Sequence, residues 1–435
     1  MNNNDTIFAL SSGHGKSGVA VIRISGDNLR DLFARMLGRG NFDARRTYFA
    51  NLTDNAGDLI DQTILVFFAA PHSFTGTDVI EIYSHGAPAV INKIFDFLGA
   101  TGARMATRGE FSRRAFLNGK MDLADVDGLA ALLDAQTERQ RRAALQSMTG
   151  RDSRIYDTWR AQMVEIAAYA AAILDYADDE LPTNIGEKIR DKAQKLYDEI
   201  DNAISRYAAS RAIRSGFNIT LAGNTNAGKS SLFNRLVGEN RAIVSDTPGT
   251  TRDVVSCTLD IDGYMVNISD TAGLRDTDDA IEQIGIQRTN DEIKNADLIL
   301  HVIDGGQSSD FKVQSSNNEI IVINKSDLCD CKNKNDAIYV SAKTGDGIDN
   351  LMIAIRRRIT ELVGADESQL TVNARTRALL TDARTELHNA IAAGDNYDIF
   401  SEHVRRAADA IGKILGTITA SDVMDATFSQ LCLGK

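Results

Sequence analysis

Proline is nearly absent, with four in 435 residues, and because proline breaks helix interiors its scarcity points to a helix-rich chain. Cysteine is as sparse. Cys257, Cys329, Cys331 and Cys432 show no paired metal spacing, and Cys329-Asp-Cys331 has no second half elsewhere. A disulfide framework and a zinc ribbon are therefore not expected, and reduced thiols are. The six histidines are dispersed, with no i, i+4 pair to suggest a metal site. Long apolar runs are missing too: the longest, Ile166 to Leu174, falls far short of the ~20 residues that span a bilayer. The opening Met-Asn-Asn-Asn-Asp lacks the basic stretch of a secretory signal, so the cytosol is the expected compartment. Positive charge is not in excess. With 60 acidic against 48 basic residues the net charge is −12, which opposes autonomous binding to nucleic acid; if RNA is a substrate, a partner or a local basic patch must hold it.

Three textures follow one another along the chain. Residues 1–118 alternate short β-like runs, Val19 to Ile24, Ile64 to Phe68 and Val79 to Ile82, with a helical stretch near 88–98, which predicts a compact α+β domain. Residues 119–215 carry apolar side chains three and four apart (Leu129, Leu132, Leu133; Met163, Ile166, Ala167, Ala170), the period of helices. Residues 216–362 alternate strands and helices. Helical spacing returns in 363–435, at Ala378, Leu379 and Leu380, then Ala407, Ile411, Ile414 and Leu415. An α/β domain therefore interrupts a helical one, whose two parts are expected to meet. Two glycine-rich decoys lie near the start. Gly13-His-Gly15-Lys-Ser-Gly18 fits G-x-G-x-x-G, but a strand follows it where a dinucleotide site needs a helix, and Gly15-Lys16-Ser17 lacks the leading glycine of a P-loop, since Leu10 stands there. Both read as a hairpin.

The inserted domain holds an ordered series. Gly223-Asn-Thr-Asn226-Ala227-Gly228-Lys229-Ser230 fits G-x-x-x-x-G-K-[ST] between the apolar run Phe217 to Ala222 and the helical run from Ser231 to Val237. Glycines let backbone N–H groups turn in around phosphates, and the helix start adds positive charge. Lys229 would meet the β- and γ-phosphates and Ser230 a Mg²⁺ ion. Thr250-Thr251, Asp270-Thr271-Ala272-Gly273, Asn324-Lys325-Ser-Asp327 and Ser341-Ala342-Lys343 follow in register. A P-loop alone serves ATPases equally well. Asp327 decides for guanine, because a carboxylate accepts from N1–H and the 2-amino group together and adenine has no matching donors; Ser341, Ala342 and Lys343 would close the base pocket. Each motif by itself could be a chance loop, but five in order predict a guanine-nucleotide hydrolase.

Hydrolysis poses a problem. Leu274 follows the Asp-x-x-Gly element where small signalling GTPases place a water-orienting Gln, and no in-cis arginine finger is evident, although Arg252 and Arg275 are available. Another residue must position water. The stretch from Arg275 to Gly285 contains Glu282; its Asp276, Asp278 and Asp279 read as a solvated acidic loop. A monovalent cation beside Asn226 could neutralise developing charge as a guanidinium does.

Further runs carry a family resemblance: Val21-Ile-Arg-Ile-Ser-Gly26, Ser73-Phe-Thr-Gly76, Arg108-Gly-Glu-Phe111, Arg114-Ala-Phe-Leu-Asn-Gly-Lys120, Asp270 through Gly285 and the terminal Cys432-Leu-Gly-Lys435. From end to end the chain resembles the tRNA-uridine-modifying GTPases of the MnmE (TrmE) family. The resemblance implies an N-terminal folate-binding and dimerising α+β domain, a split helical domain and an inserted Ras-like P-loop α/β domain. It implies a homodimer acting with an FAD-dependent partner, MnmG (GidA). Together they would add an aminomethyl or carboxymethylaminomethyl group to C5 of the wobble uridine, position 34, of certain tRNAs, taking one carbon from a 5-formyl- or 5,10-methylene-tetrahydrofolate. It places nucleotide contacts on Asn226, Ala227, Gly228, Lys229, Ser230 and Ser231, on Ser245, Asp246, Thr247, Pro248, Gly249, Thr250 and Thr251, and on the later motifs. Potassium would take Asn226, Ser245, Thr247 and Thr250, and magnesium Ser230 and Thr251. Glu282 aligns with a glutamate that acts through water, the residue that the missing Gln requires. Folate contacts fall on Arg23, Glu81, Lys120 and Lys435, where a carboxylate can pair with pterin N–H groups and cations with a glutamate tail. Cys432 reads as a thiol near the folate or as a small buried residue.

A GTPase switch in ribosome or RNA-particle assembly is the alternative. It has no use for a folate pocket and often carries a basic RNA-binding module, which is not found in this sequence.

Overall fold

The computed structural model describes residues 5–175, 184–243, 255–270, 293–307, 318–328, 337–364, 370–417, 427–428, 431–432 and 434. Strands β1 (Ile7–Leu10), β2 (Ser17–Gly26), β3 (Thr47–Thr53), β4 (Leu59–Phe68), β5 (Asp78–Gly86) and β6 (Arg104–Met105) form one sheet in the order β3-β4-β5-β2-β1-β6. Apart from the parallel β1–β6 pair its neighbours run antiparallel. Alternation along β2 sends Ala20, Ile22 and Ile24 into the core and leaves Val21 and Arg23 on the opposite face, the two-residue period of a strand. Helices α1 (Arg30–Leu37) and α2 (Pro88–Gly99) supply Phe33, Ile94 and Phe97 to that core. Gly38, left-handed at φ 74°, ends α1, and Pro88 opens α2, where its missing N–H costs nothing. The glycine-rich segment after β1 joins two antiparallel strands and is a hairpin.

Helices follow: α3 (Glu110–Leu117), α4 (Leu123–Asp134), α5 (Glu138–Met148), α6 (Arg151–Asp175), α7 (Ile185–Ser205) and α8 (Tyr207–Ser215). Asp122 and Asp125 cap the start of α4 reciprocally, each side chain accepting from the other's N–H at 2.8 and 3.1 Å.

The second sheet holds β7 (Phe217–Ala222), β8 (Arg241–Ala242), β9 (Val255–Ile261), β10 (Tyr264–Asp270), β11 (Leu298–Asp304), β12 (Glu319–Asn324) and β13 (Ala337–Tyr339), in the order β13-β12-β11-β7-β10-β9-β8. Strands β10, β7, β11, β12 and β13 are parallel, and β9 returns antiparallel along β10. Helices α9 (Lys229–Glu239) and α10 (Ile348–Val363) bury Leu232, Leu236, Leu351 and Ile355 in its core. The chain ends with α11 (Ala374–Ala392) and α12 (Tyr397–Leu415).

Two compact units result. One comprises Met1–Ala130, Ser147–Gly186 and Ala393–Lys435, the other Ala131–Gln146 and Glu187–Ala392. In the first, α6 and α12 lie together: Ser401 donates to the Ala167 carbonyl at 3.4 Å, and Met163, Ile166 and Ala170 are buried, as are Ala407, Ile411, Ile414 and Leu415. In the second, Arg384 of α11 pairs with Asp201 of α7 at 2.7 Å. Two of the spaced apolar residues are not core. Leu133 is 43% exposed because α4 outruns the cluster that Leu123, Val126 and Leu129 share with Phe428 and Leu431. Ala378 is exposed too; alanine favours helices without needing burial, so it fits an apolar period at little cost in water.

Candidate active site

β7 runs into the loop 223–228 at the carboxyl edge of the parallel sheet, and α9 leaves it, the place where α/β folds bind ligands. Gly223 (φ 141°), Asn226 (φ 68°) and Gly228 (φ 86°) take left-handed backbone conformations that wrap the loop. Glycine is required twice over. A Cβ on Gly223 would lie 2.1 Å from the Val302 carbonyl oxygen, and one on Gly228 2.2 Å from Asn324 Nδ2. Lys229 opens α9 yet is only 6% exposed, its ammonium donating to the carbonyls of Gly223 and Asn224 at 2.9 and 3.0 Å. Together with the N–H groups of the helix start this makes a receptor for anions. Ser230 Oγ lies 2.6 Å from Asp270 Oδ2, and Asp270 is the buried last residue of β10. A hydroxyl beside a carboxylate is the hard-oxygen set that Mg²⁺ takes.

The base side is built from the ends of β11 and β12. Asn324, buried at the end of β12, donates through Nδ2 to the Ala227 carbonyl at 3.0 Å and accepts through Oδ1 from the Ala342 N–H at 3.1 Å. One amide thus ties the P-loop to the 341–343 turn. Lys325 donates to the Asn226 carbonyl at 2.9 Å and to Asp304 Oδ2 at 2.6 Å, and its ammonium holds the Asp304 carboxyl below the usual carboxylate range. Asp327 is exposed, with Oδ1 fixed by the buried Ser341 hydroxyl at 2.7 Å. A carboxylate so placed can accept from two adjacent donors on a guanine edge. Ala342 is half-buried, while Lys343, Ser231 and the Asn226 side chain are exposed. Ser245, Asp246, Thr247, Pro248, Gly249, Thr250, Thr251, Thr271, Ala272, Gly273, Glu282 and Lys435 lie outside the described residues.

On the antiparallel sheet, register makes Arg23 and Glu81 partners across β2 and β5. The guanidinium donates to Glu81 Oε1 at 2.9 and 3.1 Å, with both side chains about six-sevenths buried at 15% and 13% exposure. Tyr83 donates to Glu81 Oε2 at 2.8 Å, and burial together with that carboxylate pushes its phenol above the usual tyrosine range. The Arg23 guanidinium sits 5.2 Å from the Phe74 ring centre and 5.9 Å from that of Phe111. Lys120 is exposed on the turn after α3, where the neighbouring Asn118 donates to the Thr75 carbonyl at 2.6 Å. The tail comes to the same sheet: Ser11 donates to the Gly434 carbonyl at 2.9 Å, two residues beyond Ala9, the β1 partner of Arg23. Cys432 is exposed, with its carbonyl accepting from the Gly109 N–H at 3.4 Å.

Sequence reasoning passed over Tyr83, which shares a strand face with Glu81 at i+2. It also passed over Asp304, a carboxylate ending an apolar strand at the same sheet edge as Asp270 and Asn324.

A parallel sheet of this order, with a P-loop after its central strand and an Asn-Lys-x-Asp strand end tied to it, defines a P-loop guanine-nucleotide hydrolase. Two domain families match the chain, one described as the GTP-binding protein TrmE N-terminus over residues 6–120 and the other as the MnmE helical domain over residues 123–432. The chain belongs to the MnmE family. Similar proteins named tRNA modification GTPase MnmE include that of Azorhizobium caulinodans, 39% identical over 99% of each chain. That of Bartonella henselae is 38% identical over 99% of this chain and all of the relative, and that of Agrobacterium fabrum 39% identical over 99% of each. Among solved structures, the G domain of the T. maritima FeoB iron transporter superposes with a TM-score of 0.25 at 23% identity, over 34% of this chain and 98% of that one.

Proposed function

We propose that this chain is a potassium-activated GTPase of tRNA modification that forms one half of a wobble-uridine-modifying enzyme. Membership of the MnmE family supports the GTPase and the tRNA modification. The observation that carries the nucleotide chemistry is the Asn324 side chain, which joins the P-loop to the base-side turn and so makes one site of three motifs.

In this reading Lys229 turns its ammonium from the loop carbonyls to the β- and γ-phosphates, and Asp327 selects guanine. Mg²⁺ on Ser230 and Thr251, and K⁺ on Asn226, Ser245, Thr247 and Thr250, supply positive charge to the phosphates when bound. Ser230, already aligned by Asp270, fits that role. Glu282 orients the attacking water through a second water, doing the work for which Leu274 is unsuited. Residues 1–118 bind folate and dimerise, 119–215 and 363–435 form the helical domain, and 216–362 form the G domain. Arg23, Glu81, Lys120 and Lys435 hold a tetrahydrofolate derivative, which brings the one-carbon unit. Arg23 and Glu81 fit it in charge, a carboxylate for pterin N–H groups beside a guanidinium that is itself held over the Phe74 and Phe111 rings. The FAD-dependent partner MnmG joins the homodimer to modify C5 of uridine 34, in the cytosol.

GTP turnover in potassium against sodium tests the ion assignment. A rise of roughly tenfold or more is expected for a charge acting on the transition state, and equal rates would end it. Glu282→Ala is expected to keep nucleotide affinity while turnover falls ~10²-fold, the usual weight of a proton-handling or water-orienting group. Unchanged turnover would remove Glu282 from the mechanism.

A further inference from the structure

The hairpin β9–β10 connects the two stretches that carry Thr250-Thr251 and Asp270-Thr-Ala-Gly273. Its turn is tight: Ile261 and Tyr264 are partners, Asp262 and Gly263 both have positive φ at 53° and 82°, and Asp260 accepts from the Gly263 N–H at 2.7 Å. This is the two-residue turn that matches strand twist. One end of β10 is chemical, since Asp270 bonds Ser230 of the P-loop. The other end is held by helix α5, which belongs to the helical part of the sequence.

The grip has two side chains. The Arg139 guanidinium lies 4.0 Å from the Tyr264 ring centre, within the range of a cation–π contact. Gln140 is 7% exposed. Its Nε2 donates to the Arg214 carbonyl at the end of α8 at 3.0 Å and reaches Met265 Sδ at 3.1 Å. Its Oε1 accepts from the N–H groups of Gln136 and Thr137 at the start of α5, at 2.9 and 3.1 Å. One buried amide therefore fastens α5, α8 and β10. If α5 only needed a packing surface, an apolar residue would serve better, because a buried amide is stabilising only while all its partners stay in place. From Met265 to Asp270 is about 17 Å of strand at about 3.3 Å per residue. That strand is paired with β9 from Tyr264 to Asp270 and with β7 from Val266 to Asp270, so it is a stiff link between the P-loop and the helix.

We infer that Arg139 and Gln140 form a clamp through which helix α5 follows the nucleotide state of the G domain along β10. A shift of Asp270 when the γ-phosphate is present or absent moves Tyr264 and Met265, and α5 moves with them or loses the Gln140–Met265 contact and the Arg139–Tyr264 ring contact. By linkage, the clamp also biases the relative affinity for GTP and GDP. The inference rests on the GTPase reading and adds the route by which that site acts on the helical segment 131–146.

The test uses the full chain, with GDP and with a non-hydrolysable GTP analogue as probes, and reads amide hydrogen exchange in 138–146. In the unaltered protein the exchange rates should differ by about fivefold or more between the two nucleotides, the lower end of usual coupling energies. Arg139→Ala combined with Gln140→Glu keeps the acceptor for Gln136 and Thr137 but removes the donor to Arg214 and Met265 and the cation over Tyr264. That variant should still bind both nucleotides, lose the difference in α5, and change its GTP-to-GDP affinity ratio by about fivefold. If the double variant does not fold, Arg139→Gln alone should halve the difference or more. Equal exchange in α5 with either nucleotide bound, or a variant that responds as the unaltered protein does, overturns the clamp. Failure to bind either nucleotide overturns the GTPase reading and the clamp together.

Discussion

The two sheets offer chemistry in opposite ways. The parallel sheet presents backbone: at the carboxyl edges of β7, β11 and β12 the chain turns away, and the site is assembled from carbonyls, N–H groups and the residues that end these strands and β10. The antiparallel sheet presents a face, on which Arg23 and Glu81 meet because β2 and β5 pair in one particular register. A backbone site tolerates no Cβ where the loop must close, whereas a face site tolerates changes of shape but not a slip of register. The first is rigid by sterics and the second by pairing.

Three changes would break or sharpen this contrast, from the largest effect to the smallest. Gly228→Val places a side chain on a residue at φ 86° and against Asn324 Nδ2. Left-handed strain of ~1–2 kcal/mol adds to ~1 kcal/mol for each Asn324 bond displaced. Nucleotide affinity should fall by ~10²-fold or more in an equilibrium titration while circular dichroism stays unchanged; retained affinity would show that the loop is not sterically closed. Arg23→Met should act on stability instead. It leaves the mostly buried Glu81 carboxylate with Tyr83 alone, at a cost of ~1–3 kcal/mol, seen as a lower thermal midpoint with GTP turnover intact. A loss of turnover would mean that the face site and the loop site are not separable.

The smallest effect is one of pH and belongs to the start of helix α4. Burial, then the neighbouring charge of Asp122, pushes the Asp125 carboxyl up to about 6. A raised acid binds its proton more tightly when folded, so its contribution is complete below the unfolded value near ~3.9 and is lost as pH rises through about 6. Asp125→Asn should therefore flatten the fall in stability between those values and gain about 1–2 kcal/mol at neutral pH, allowing for partial exposure. Parallel pH profiles of variant and unaltered protein would remove Asp125 as the cause.

Legibility followed the same division. The loop motifs are contiguous, and each encodes local backbone geometry, so Gly223 to Ser230 and Asn324 to Asp327 could be read directly, with their order along the chain giving the α/β sheet. Helical spacing exposed the stripe at Met163, Ile166 and Ala170 but overreached at Leu133 and Ala378, since periodicity records what could be buried and only a neighbouring surface decides what is. Arg23 and Glu81 look like two ordinary charges 58 positions apart, and only the resemblance to a family singled them out before the register paired them.

The amino-acid sequence by itself determined a guanine-nucleotide loop set into a helix-rich, acidic chain, because short-range sterics and hydrogen bonding dictate such loops wherever they occur. Tertiary structure alone decided that Asn324 would reach 97 residues back to Ala227, that Tyr83 would steady Glu81, and that Gln140 would fasten β10 to a helix. Those contacts depend on strand register and helix docking, which are settled by the simultaneous burial of distant apolar residues and leave no mark at any one position in the chain.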